Sequence, residues 1–489
     1  MTMRLMVVST AKNTDKILDR LVAENDDIEI ALHMGHVTAD IKASALTRLN
    51  TREGGKGHLF ARQRWTGAGQ ALIEAPEYLD LMETFIDHLH RRSDINAHKP
   101  HPLRTMQDYV DYYHILADVI GQALIDRGVT HCLFFNVPHL AYDTIVYQMA
   151  QVLGLPCTIV TQSLFPDRFY SLRAPLDYGR FPPDPAANPF PIERGSKPDL
   201  FYMRGIKQER EAGGRPGLKA VAQIATFLAL KRPMQALNPA YLWRLARDVY
   251  RVYGGLPKWR DPFARFFHED ALEYFDHLTG FEDQTLDLEG DFVYFPLQLQ
   301  PEMTTSSLGG RFRDQAYAIE TLAGMLPEGV RILVKENPKQ GSYMRGPMFF
   351  HRLKRIPSVT FLPSWADTHA LTAKARFVAT ITGTVGWEAV RQQKPALVFG
   401  AAWYRGLPGV HHIEDAPSYE AICATEIDHA ALEQRVGALL SRSHRGVVDR
   451  HYKVMVPDLD EDANDGRAAE VIAGLLRGGE TTFLSESGA

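Results

Sequence analysis

Cysteine is scarce in this chain of 489 residues, which contains only Cys132, Cys157 and Cys423. Three widely spaced thiols cannot build a disulfide framework, and they lack the close spacing of a zinc-binding motif. Long apolar runs are missing too. The stretch around 221–230 is shorter than a membrane span, and the apolar run within the first nine residues is too short for a signal peptide. We therefore expect a protein of the reducing cytoplasm, with peripheral membrane contact as a further option.

An excess of positive charge is also absent, since 54 Lys and Arg residues face 59 Asp and Glu residues, for a formal net charge of −5. A nucleic-acid partner is therefore not expected. Apolar residues make up 45% of the chain and charged residues 23%, a balance that excludes bulk disorder and fibrous structure. A chain of this length is typical of two domains of ordinary size.

Strand and helix patterns alternate along the first half of the chain. Their spacing, strand then helix then strand, indicates a parallel sheet with crossover helices. Helices are predicted around 17–21, 78–90 and 143–153, and His88 is interpreted as a surface group. Strands are predicted at 4–9, 27–32, 130–136 and 156–161.

A second α/β series follows a polar, acidic segment at 278–290. Strands are predicted at 292–295, 331–335, 359–362, 377–381 and 396–399, with helices at 315–326, 349–355, 367–374, 386–392, 430–440 and 467–476. We therefore divide the chain into a first domain at 1–278, a second domain at 291–477 and a flexible tail at 478–489. Two such domains in tandem suggest a cleft, with ligands at the carboxyl ends of the strands.

Residues 181–265 differ from their surroundings and are predicted to be an insertion in the first domain. The stretch 181–198 is rich in proline, and 217–253 has a helical pattern that Pro233 and Pro239 interrupt. Ten Lys and Arg residues lie between 215 and 265, against two acids. Three interpretations stay open, namely contact with anionic lipid next to a lipid-linked acceptor, a solvated helical insertion, or an interface with a partner.

The first candidate site is the segment Gln300-Pro301-Glu302, which follows the strand predicted at 292–295. Proline stiffens the turn that carries the Glu302 carboxylate. Such a carboxylate acts as a nucleophile or a general base in enzymes. A helix cap or a surface ion pair is the alternative role for Glu302.

The second candidate site follows the strand predicted at 331–335. It contains Lys335, Asn337, Pro338 and Lys339. The two lysines are suited to hold phosphate as point charges. A solvated turn would have the same composition and is the better interpretation from the residues alone.

A turn rich in threonine and glycine, Thr382-Gly383-Thr384, forms the third candidate site and opens a predicted helix that carries Gly386 and Glu388. Backbone N–H groups at a helix N-terminus bind anions readily. Glu388 lies within reach of a ribose hydroxyl, or it compensates the helix dipole. The spacing matches neither a dinucleotide-binding fingerprint nor a phosphate-binding P-loop.

Aromatic and imidazole groups supply the remaining candidates. Trp403 follows the strand predicted at 396–399 and either stacks on a base or sugar or packs within its loop. His139 and Asp143 follow the strand predicted at 130–136 and are candidates for deprotonating an acceptor, because imidazole titrates near neutrality. A histidine that caps a helix is the alternative role for His139.

These segments, in this order, resemble the bacterial capsule polysaccharide biosynthesis family, which includes the Kdo transferases of capsule and lipopolysaccharide assembly. The resemblance covers 292–410 well and the first half only in pattern. It implies a GT-B-like α/β fold, with two Rossmann-like domains facing across a cleft. The second domain would hold a nucleotide sugar and the first domain the acceptor, with no metal ion or other cofactor.

The resemblance also implies roles for single residues. Glu302 would be the active-site acid, Glu388 would bind the ribose, and Lys335, Lys339, Thr382 and Thr384 would contact the nucleotide phosphate. Asn337 stands where the Kdo and sialic acid transferases typically carry a histidine, and an amide cannot protonate a phosphate. The full predicted substrate-binding set is Gln300, Lys335, Asn337, Pro338, Lys339, Thr382, Gly383, Thr384, Gly386, Glu388 and Trp403.

The expected function is therefore glycosyl transfer in capsule or other surface polysaccharide biosynthesis, from a nucleotide sugar such as CMP-Kdo to a glycan or lipid-linked acceptor. Two alternatives stay open. One is a nucleotide-sugar epimerase, which would need no acceptor. The other is a non-catalytic carbohydrate-binding or assembly protein on the same scaffold.

Overall fold

The computed structural model describes most of the chain. Pro338 and Lys339 of the predicted substrate site lie outside the described residues, as do Arg215, Lys258, Arg260 and Arg265 of the basic stretch. The described residues are 2–9, 14–35, 48–49, 64–89, 105–196, 218–255, 277–278, 280–281, 284–337, 340, 345–363 and 366–485.

The strands of the described residues form two separate sheets. Their bounds are β1 Met3–Ser9, β2 Ile28–Gly35, β3 Arg48–Leu49, β4 His131–Phe134, β5 Cys157–Gln162, β6 Arg168–Leu172, β7 Phe292–Pro296, β8 Arg331–Lys335, β9 Val359–Leu362, β10 Val378–Thr380, β11 Ala396–Val398, β12 Val410–His412 and β13 His444–Arg445.

The α-helices of the described residues mostly connect consecutive strands. Their bounds are α1 Thr14–Ala23, α2 Gln70–Ile73, α3 Tyr78–Leu89, α4 Met106–Asp126, α5 Tyr142–Val152, α6 Leu218–Lys231, α7 Pro233–Ala236, α8 Pro239–Gly255, α9 Gln315–Met325, α10 Pro347–Lys354, α11 Thr368–Lys374, α12 Thr384–Arg391, α13 Tyr419–Cys423, α14 His429–Arg442 and α15 Glu461–Leu476. None of the helices in the described part of the chain has the length and apolarity needed to cross a bilayer.

The first sheet has the strand order β13-β6-β5-β4-β1-β2-β3. Its five strands from β5 to β3 are parallel, whereas β6 and β13 run antiparallel to their neighbours. Strands buried on both faces have near-continuous apolar sequences, as in β1 and β4. One face packs on α1 and α15, and the other packs on α3, α4 and α5.

The second sheet has the order β12-β11-β10-β7-β8-β9, and every described pair in it is parallel. Successive side chains of β7 and β8 point to opposite faces, as the period of a strand requires. One face packs on α9, α10 and α13, and the other packs on α11 and α12. The predicted α/β class with two Rossmann-like sheets is therefore confirmed.

The C-terminal segment departs from the predicted domain limits. β13 pairs with β6 of the first sheet, and α15 packs against α1, although both lie within the predicted second domain at 291–477. The flexible tail predicted from 478 is wrong for the described part, because Phe483 is fully buried against Tyr170 and Tyr178. The Phe483 ring packs into the core of the first half and so anchors this end of the chain.

The proline-rich segment 181–196 runs along α14 of the second half. The backbone N–H of Phe190 donates to the Glu433 carbonyl (3.0 Å), and the Ile192 N–H donates to Glu433 Oε1 (2.8 Å). Gly437 permits this close approach, because a Cβ there would lie 2.1 Å from the Asn188 carbonyl oxygen. The segment predicted as an insertion loop therefore docks onto the second half of the chain.

Candidate functional site

The loop after β7 carries Glu302 on a distinctive backbone. The Gln300–Pro301 peptide is cis, and Glu302 is extended, with φ −149° and ψ 157°. A single wide helical turn, Met303–Ser307, follows at once. The Glu302 carbonyl accepts from the N–H groups of Thr305 (3.1 Å) and Ser306 (2.8 Å). The loop that carries the predicted acid is thus closed on itself by backbone hydrogen bonds.

This Glu302 loop contacts both halves of the molecule. On one side, the Thr382 hydroxyl donates to the Thr304 carbonyl oxygen. On the other side, Ser307 Oγ lies 3.0 Å from Nε2 of His88 on α3, and it also donates to the Pro138 carbonyl. Glu302 therefore lies on a loop that joins the Thr382 turn of the second half to α3 of the first.

Glutamine side chains hold the Glu302 loop in place through hydrogen bonds. Gln340 bonds the Gln300 backbone twice, accepting from its N–H (2.8 Å) and donating to its carbonyl (2.7 Å). The Gln300 side chain donates to the Arg313 carbonyl (2.8 Å) and accepts from Gln315 (3.0 Å). Gln300, which was predicted to bind substrate, therefore uses its amide inside the protein and positions the loop.

A further glutamine, Gln298, connects the Glu302 loop to the Thr382 turn. Oε1 of Gln298 accepts from the Thr382 backbone N–H at 2.9 Å. The Thr380 hydroxyl accepts from the Gly383 N–H at 3.2 Å and closes the turn before α12. Thr382 and Gly383 are therefore held next to the Glu302 loop, as the sequence predicts for parts of one site.

A buried ion pair supports the same edge of the second sheet and was not predicted. Nε and Nη2 of Arg345 donate to the two carboxylate oxygens of Glu336, both at 2.9 Å, and Arg345 is only 1% exposed. Nη2 also donates to Gln298 O (2.7 Å) and to Gln340 Oε1 (2.8 Å). The geometry is bidentate and buried, so either partner left alone would be an uncompensated charge.

Lys335 is engaged in contacts within the protein. Its Nζ donates to the Ala366 carbonyl (2.9 Å) and to Thr368 Oγ1 (3.2 Å) at the start of α11, and the residue is buried. Asn337 donates its backbone N–H to Glu336 Oε1 (2.6 Å). These contacts favour a structural role for Lys335 over the predicted contact with phosphate.

Gly386 and Trp403 are packing residues in this structure. A Cβ on Gly386 would lie 2.3 Å from the Tyr404 hydroxyl, which itself donates to the Gly383 carbonyl. Trp403 is 7% exposed and meets Trp387 and Phe165 edge to face, at ring-centroid distances of 5.2 and 5.5 Å. The indole is thus closed in by aromatic neighbours from both halves, which is the packed alternative rather than a stacking surface.

Thr384 and Glu388 lie in the first turns of α12. Gly383 is the N-cap of this helix, with φ −65° and ψ 148°, and no side chain caps it from that position. Both Thr384 and Glu388 are partly exposed, whereas the residues between them are buried. The two side chains are therefore on the accessible side of the helix start.

Asp143 lies in the first turn of α5 and binds the loop before the helix, which contains His139. The carboxylate of Asp143 accepts from the backbone N–H groups of His139 (3.0 Å) and Leu140 (2.6 Å). Nδ1 of His139 lies 2.6 Å from the Val137 carbonyl and 4.0 Å from Asp143 Oδ2. The Asp143 carboxylate therefore holds the loop that precedes α5, and the contact with the Val137 carbonyl orients the His139 imidazole.

A cavity of about 520 Å³ lies between the two halves next to the Glu302 loop. Its walls include His88, Tyr147 and Gln148 from the first half and Ser307 and Arg313 from the second. The His88 ring is 1% exposed, with Nδ1 at 2.6 Å from Thr144 Oγ1, so the surface location predicted for it is wrong. His88 instead connects α5 to the Glu302 loop.

Asp87 is a buried carboxylic acid beside the same loop, and sequence reasoning missed it. Neither of its oxygens meets a partner at hydrogen-bond geometry among the described residues. Burial raises the pKa of Asp87 to about 6, while nearby Ser306, Arg313 and Gln300 act in the opposite direction. A titratable pair, Asp87-His88, in an amphipathic helix is the only sequence signal that marks this position.

Arg313 crosses from the Glu302 loop to α3. Its Nη2 donates to the carboxylates of Asp80 (2.9 Å) and Glu83 (2.8 Å), which are both well exposed, whereas the arginine is buried. The contact joins the two halves on the cavity wall.

Comparison with known families gives the clearest result for the second half. Residues 270–430 match the model of the capsule polysaccharide biosynthesis protein family. This segment is therefore similar to that family. The matched segment contains the Glu302 loop, the Arg345–Glu336 pair and the Thr382 turn, so its boundaries enclose the second-half contributions to the site.

Solved structures resemble the chain only distantly. The KpsC β-Kdo 2,7 transferase of Thermosulfurimonas dismutans is 10% identical over 81% of this chain and 97% of its own, with a TM-score of 0.30. The KpsC β-Kdo 2,4 transferase of the same organism is 13% identical over 65% of this chain and 82% of its own, with a TM-score of 0.28. The UDP-GlcNAc 2-epimerase of Methanocaldococcus jannaschii is 11% identical over 98% of this chain and 100% of its own, with a TM-score of 0.22. No curated protein matches the chain.

Proposed function

We propose that the protein is a glycosyltransferase of capsule or other surface polysaccharide biosynthesis, which transfers a sugar from a nucleotide sugar to a glycan or lipid-linked acceptor. The observation that carries the proposal is the position of the Glu302 loop, which contacts the Thr382 turn on one side and α3 on the other. A transferase needs donor and acceptor to meet at one reactive group, and a cleft between two α/β units is where such ligands bind.

Glu302 is the residue that we propose acts on the sugar. Its carboxylate serves either as a nucleophile, which would retain the anomeric configuration, or as a base that deprotonates the acceptor, which would invert it. The loop carrying it is held by Gln340 and by the wide turn that follows. A reactive group on a rigid support is what pre-organised catalysis requires.

The nucleotide is proposed to bind at the start of α12. The hydroxyls of Thr382 and Thr384 and the N-terminus of this helix suit a phosphate, and Glu388 suits a ribose hydroxyl. We propose that these groups stabilise the leaving phosphate without a divalent cation. Because Lys335 already donates to Ala366 and Thr368, we assign it to holding α11 rather than to the phosphate.

The test begins with nucleotide binding. Purified protein is mixed with CMP, UDP, GDP or dTDP and with their sugar conjugates, CMP-Kdo included, and the melting temperature is recorded. We expect one nucleotide to raise it selectively, because a ligand bound to the native state stabilises that state by mass action. No shift with any nucleotide, from folded protein, would contradict the proposal and favour a non-catalytic scaffold.

Turnover then separates a transferase from an epimerase. The selected nucleotide sugar is incubated with and without glycan acceptor, and the free nucleotide is measured. A transferase releases nucleotide in proportion to the acceptor consumed. Conversion of the sugar with no acceptor and no nucleotide release would replace the proposal with an epimerase.

A further inference from the structure

Helices α6, α7 and α8 form a small helical unit of their own, residues 218–255. Its core consists of Phe227 and Leu228 from α6 and Leu245 and Val249 from α8. Pro233 begins α7 and Pro239 begins α8, so each predicted interruption is the first residue of a new helix. The unit therefore folds back on itself and buries one apolar stripe.

A second set of apolar side chains in this unit points into solvent. Leu230, Met234, Leu237 and Trp243 surround the short helix α7 and are 75%, 80%, 79% and 75% exposed. Met234 lies in α7 and Leu237 is the residue that ends it, while Leu230 and Trp243 lie in the helices before and after it. We call these four residues the apolar tip. Single exposed apolar residues are ordinary, but four large ones within the stretch 230–243 mark a contact surface.

Basic residues flank the apolar tip, whereas acids are nearly absent. Arg244 and Arg247 are exposed on α8, directly after Trp243. Asp248 is the only acid of residues 218–255, and it accepts from Nε of Arg247 at 2.8 Å. The whole chain carries a net charge of −5, so this local positive charge runs against the general composition. The partner that such a surface fits is both anionic and apolar.

We propose that the apolar tip inserts into an anionic lipid surface, with Arg244 and Arg247 on the headgroup phosphates. Exposed Leu, Met and Trp beside Lys and Arg are the composition of a helix that lies in a membrane interface. Tryptophan favours the headgroup level, and each basic group near an anionic leaflet adds to binding. Only the biological purpose of membrane binding rests on the proposed function, since binding would bring the cleft to a lipid-linked acceptor.

The test measures binding of the full chain to vesicles. Vesicles of phosphatidylcholine alone are compared by flotation with vesicles that contain about 30 mol% phosphatidylglycerol. We expect binding to the anionic vesicles only, and weaker binding as salt is raised above about 0.1 M. Quenching of Trp243 by brominated lipid, absent in Trp243→Phe, reports whether the tip enters the bilayer.

Two sets of substitutions test the tip and the charges separately. We expect Met234→Ser, Leu237→Ser and Trp243→Ser together to weaken vesicle binding by about 100-fold or more, because three apolar side chains lose burial. Arg244→Glu with Arg247→Glu should weaken it by about ten-fold or more. Met348→Ser, at an exposed methionine of α10, and Lys374→Glu with Arg467→Glu are the matched controls and should bind like the wild type.

Three results would overturn the inference. One is recovery of the wild-type protein in the unbound fraction with every vesicle, and another is binding of the triple variant at the wild-type level. A wild-type dimer that the triple variant dissociates, without vesicle binding, would assign the tip to a second copy of the chain. Vesicle binding does not depend on turnover, so failure of the transferase assay leaves it measurable, and the variants should keep the nucleotide-induced rise in melting temperature.

Discussion

At single positions, the contacts that a side chain already makes decide which role it can take. Lys335 ends a buried strand and Glu302 follows one, and their surroundings in the sequence look equally suited to a ligand. The Lys335 ammonium already donates hydrogen bonds to Ala366 and Thr368. Glu302, in contrast, begins a loop that contacts both halves of the molecule. Sequence cannot separate these cases, because the acceptors of Lys335 come from a different segment.

Replacing the Glu302 carboxylate tests its role directly. We expect Glu302→Gln to lower the transfer rate by roughly 100- to 10,000-fold, the range over which a nucleophile or general base contributes. The nucleotide-induced rise in melting temperature should remain, since the amide keeps the shape of the loop. The rate is measured with saturating donor. Glu328→Gln, at an exposed glutamate, is the control, and a fully active Glu302→Gln protein would rule out the assigned role.

The buried acid Asp87 should make stability depend on pH. Its pKa is raised from 3.8 to about 6, so the native state binds the proton more tightly than the unfolded state does. Stability is therefore lost as pH rises from about 4 through 6, and the loss amounts to about 3 kcal/mol. We expect Asp87→Asn to melt at a higher temperature than the wild type at pH 8 and to match it near pH 4.

The measurement is the melting temperature from pH 4 to pH 8 for Asp87→Asn, with Asp26→Asn at an exposed position as the control. The control should keep the wild-type dependence on pH. An unchanged dependence in Asp87→Asn would mean that another group causes it.

At the scale of elements, the central strands of both sheets were predicted, whereas the strands β3, β6, β12 and β13 and one long helix were not. α4, Met106–Asp126, was not predicted, although it buries Tyr113, Leu116 and Ile120. Its start carries a capping box, in which the side chains of Thr105 and Asp108 each accept from the backbone N–H of the other. This spacing is a sequence signal for a helix start and could have located α4.

The start of α12 depends on the absence of a side chain at Gly386. We expect Gly386→Ala to destabilise the protein by about 1–3 kcal/mol, because its methyl group would press on the Tyr404 hydroxyl, at 2.3 Å. Displacement of Tyr404 also frees the Gly383 carbonyl, so nucleotide binding should weaken. Chemical denaturation measures the loss of stability. The nucleotide-induced rise in melting temperature measures the weaker nucleotide binding.

Gly474→Ala in α15 is the matched control, since nothing lies within 4 Å of a Cβ at that position. Alanine is the better helix former, so this control should be neutral or slightly stabilising. Equal stability of the two variants would show that Tyr404 does not restrict position 386.

At the scale of the whole molecule, the chain passes between the two sheets more than once. The segment 181–196 lies along α14, and β13 and α15 return to the first sheet. His88 and Ser307 then join α3 to the Glu302 loop. The candidate site is therefore built from both halves, and its geometry depends on how they pack.

Removing the His88 ring tests this connection. We expect His88→Ala to cost about 1–3 kcal/mol, because Thr144 and Ser307 lose a buried partner, and to reduce transfer more than nucleotide binding. Denaturation and the rate at saturating donor are the measurements. His451→Ala, at an exposed histidine, should change neither. A His88→Ala protein with wild-type transfer would show that the first half does not support the loop.

The amino-acid sequence by itself determined the central strands of both sheets, because a buried strand is a local run of apolar residues whose signal needs no partner. It did not determine β3, β6, β12 and β13, which lie toward the sheet edges and are short or less apolar. It also determined which segments carry candidate chemistry, since Glu302 and the Thr382 turn each follow a strand. Only the tertiary structure decided how those segments meet. His88 and Ser307 are 219 positions apart, and Asp87 acquires its shifted pKa from burial beneath that contact. Such contacts depend on the path of the whole chain, and no local pattern of residues encodes them.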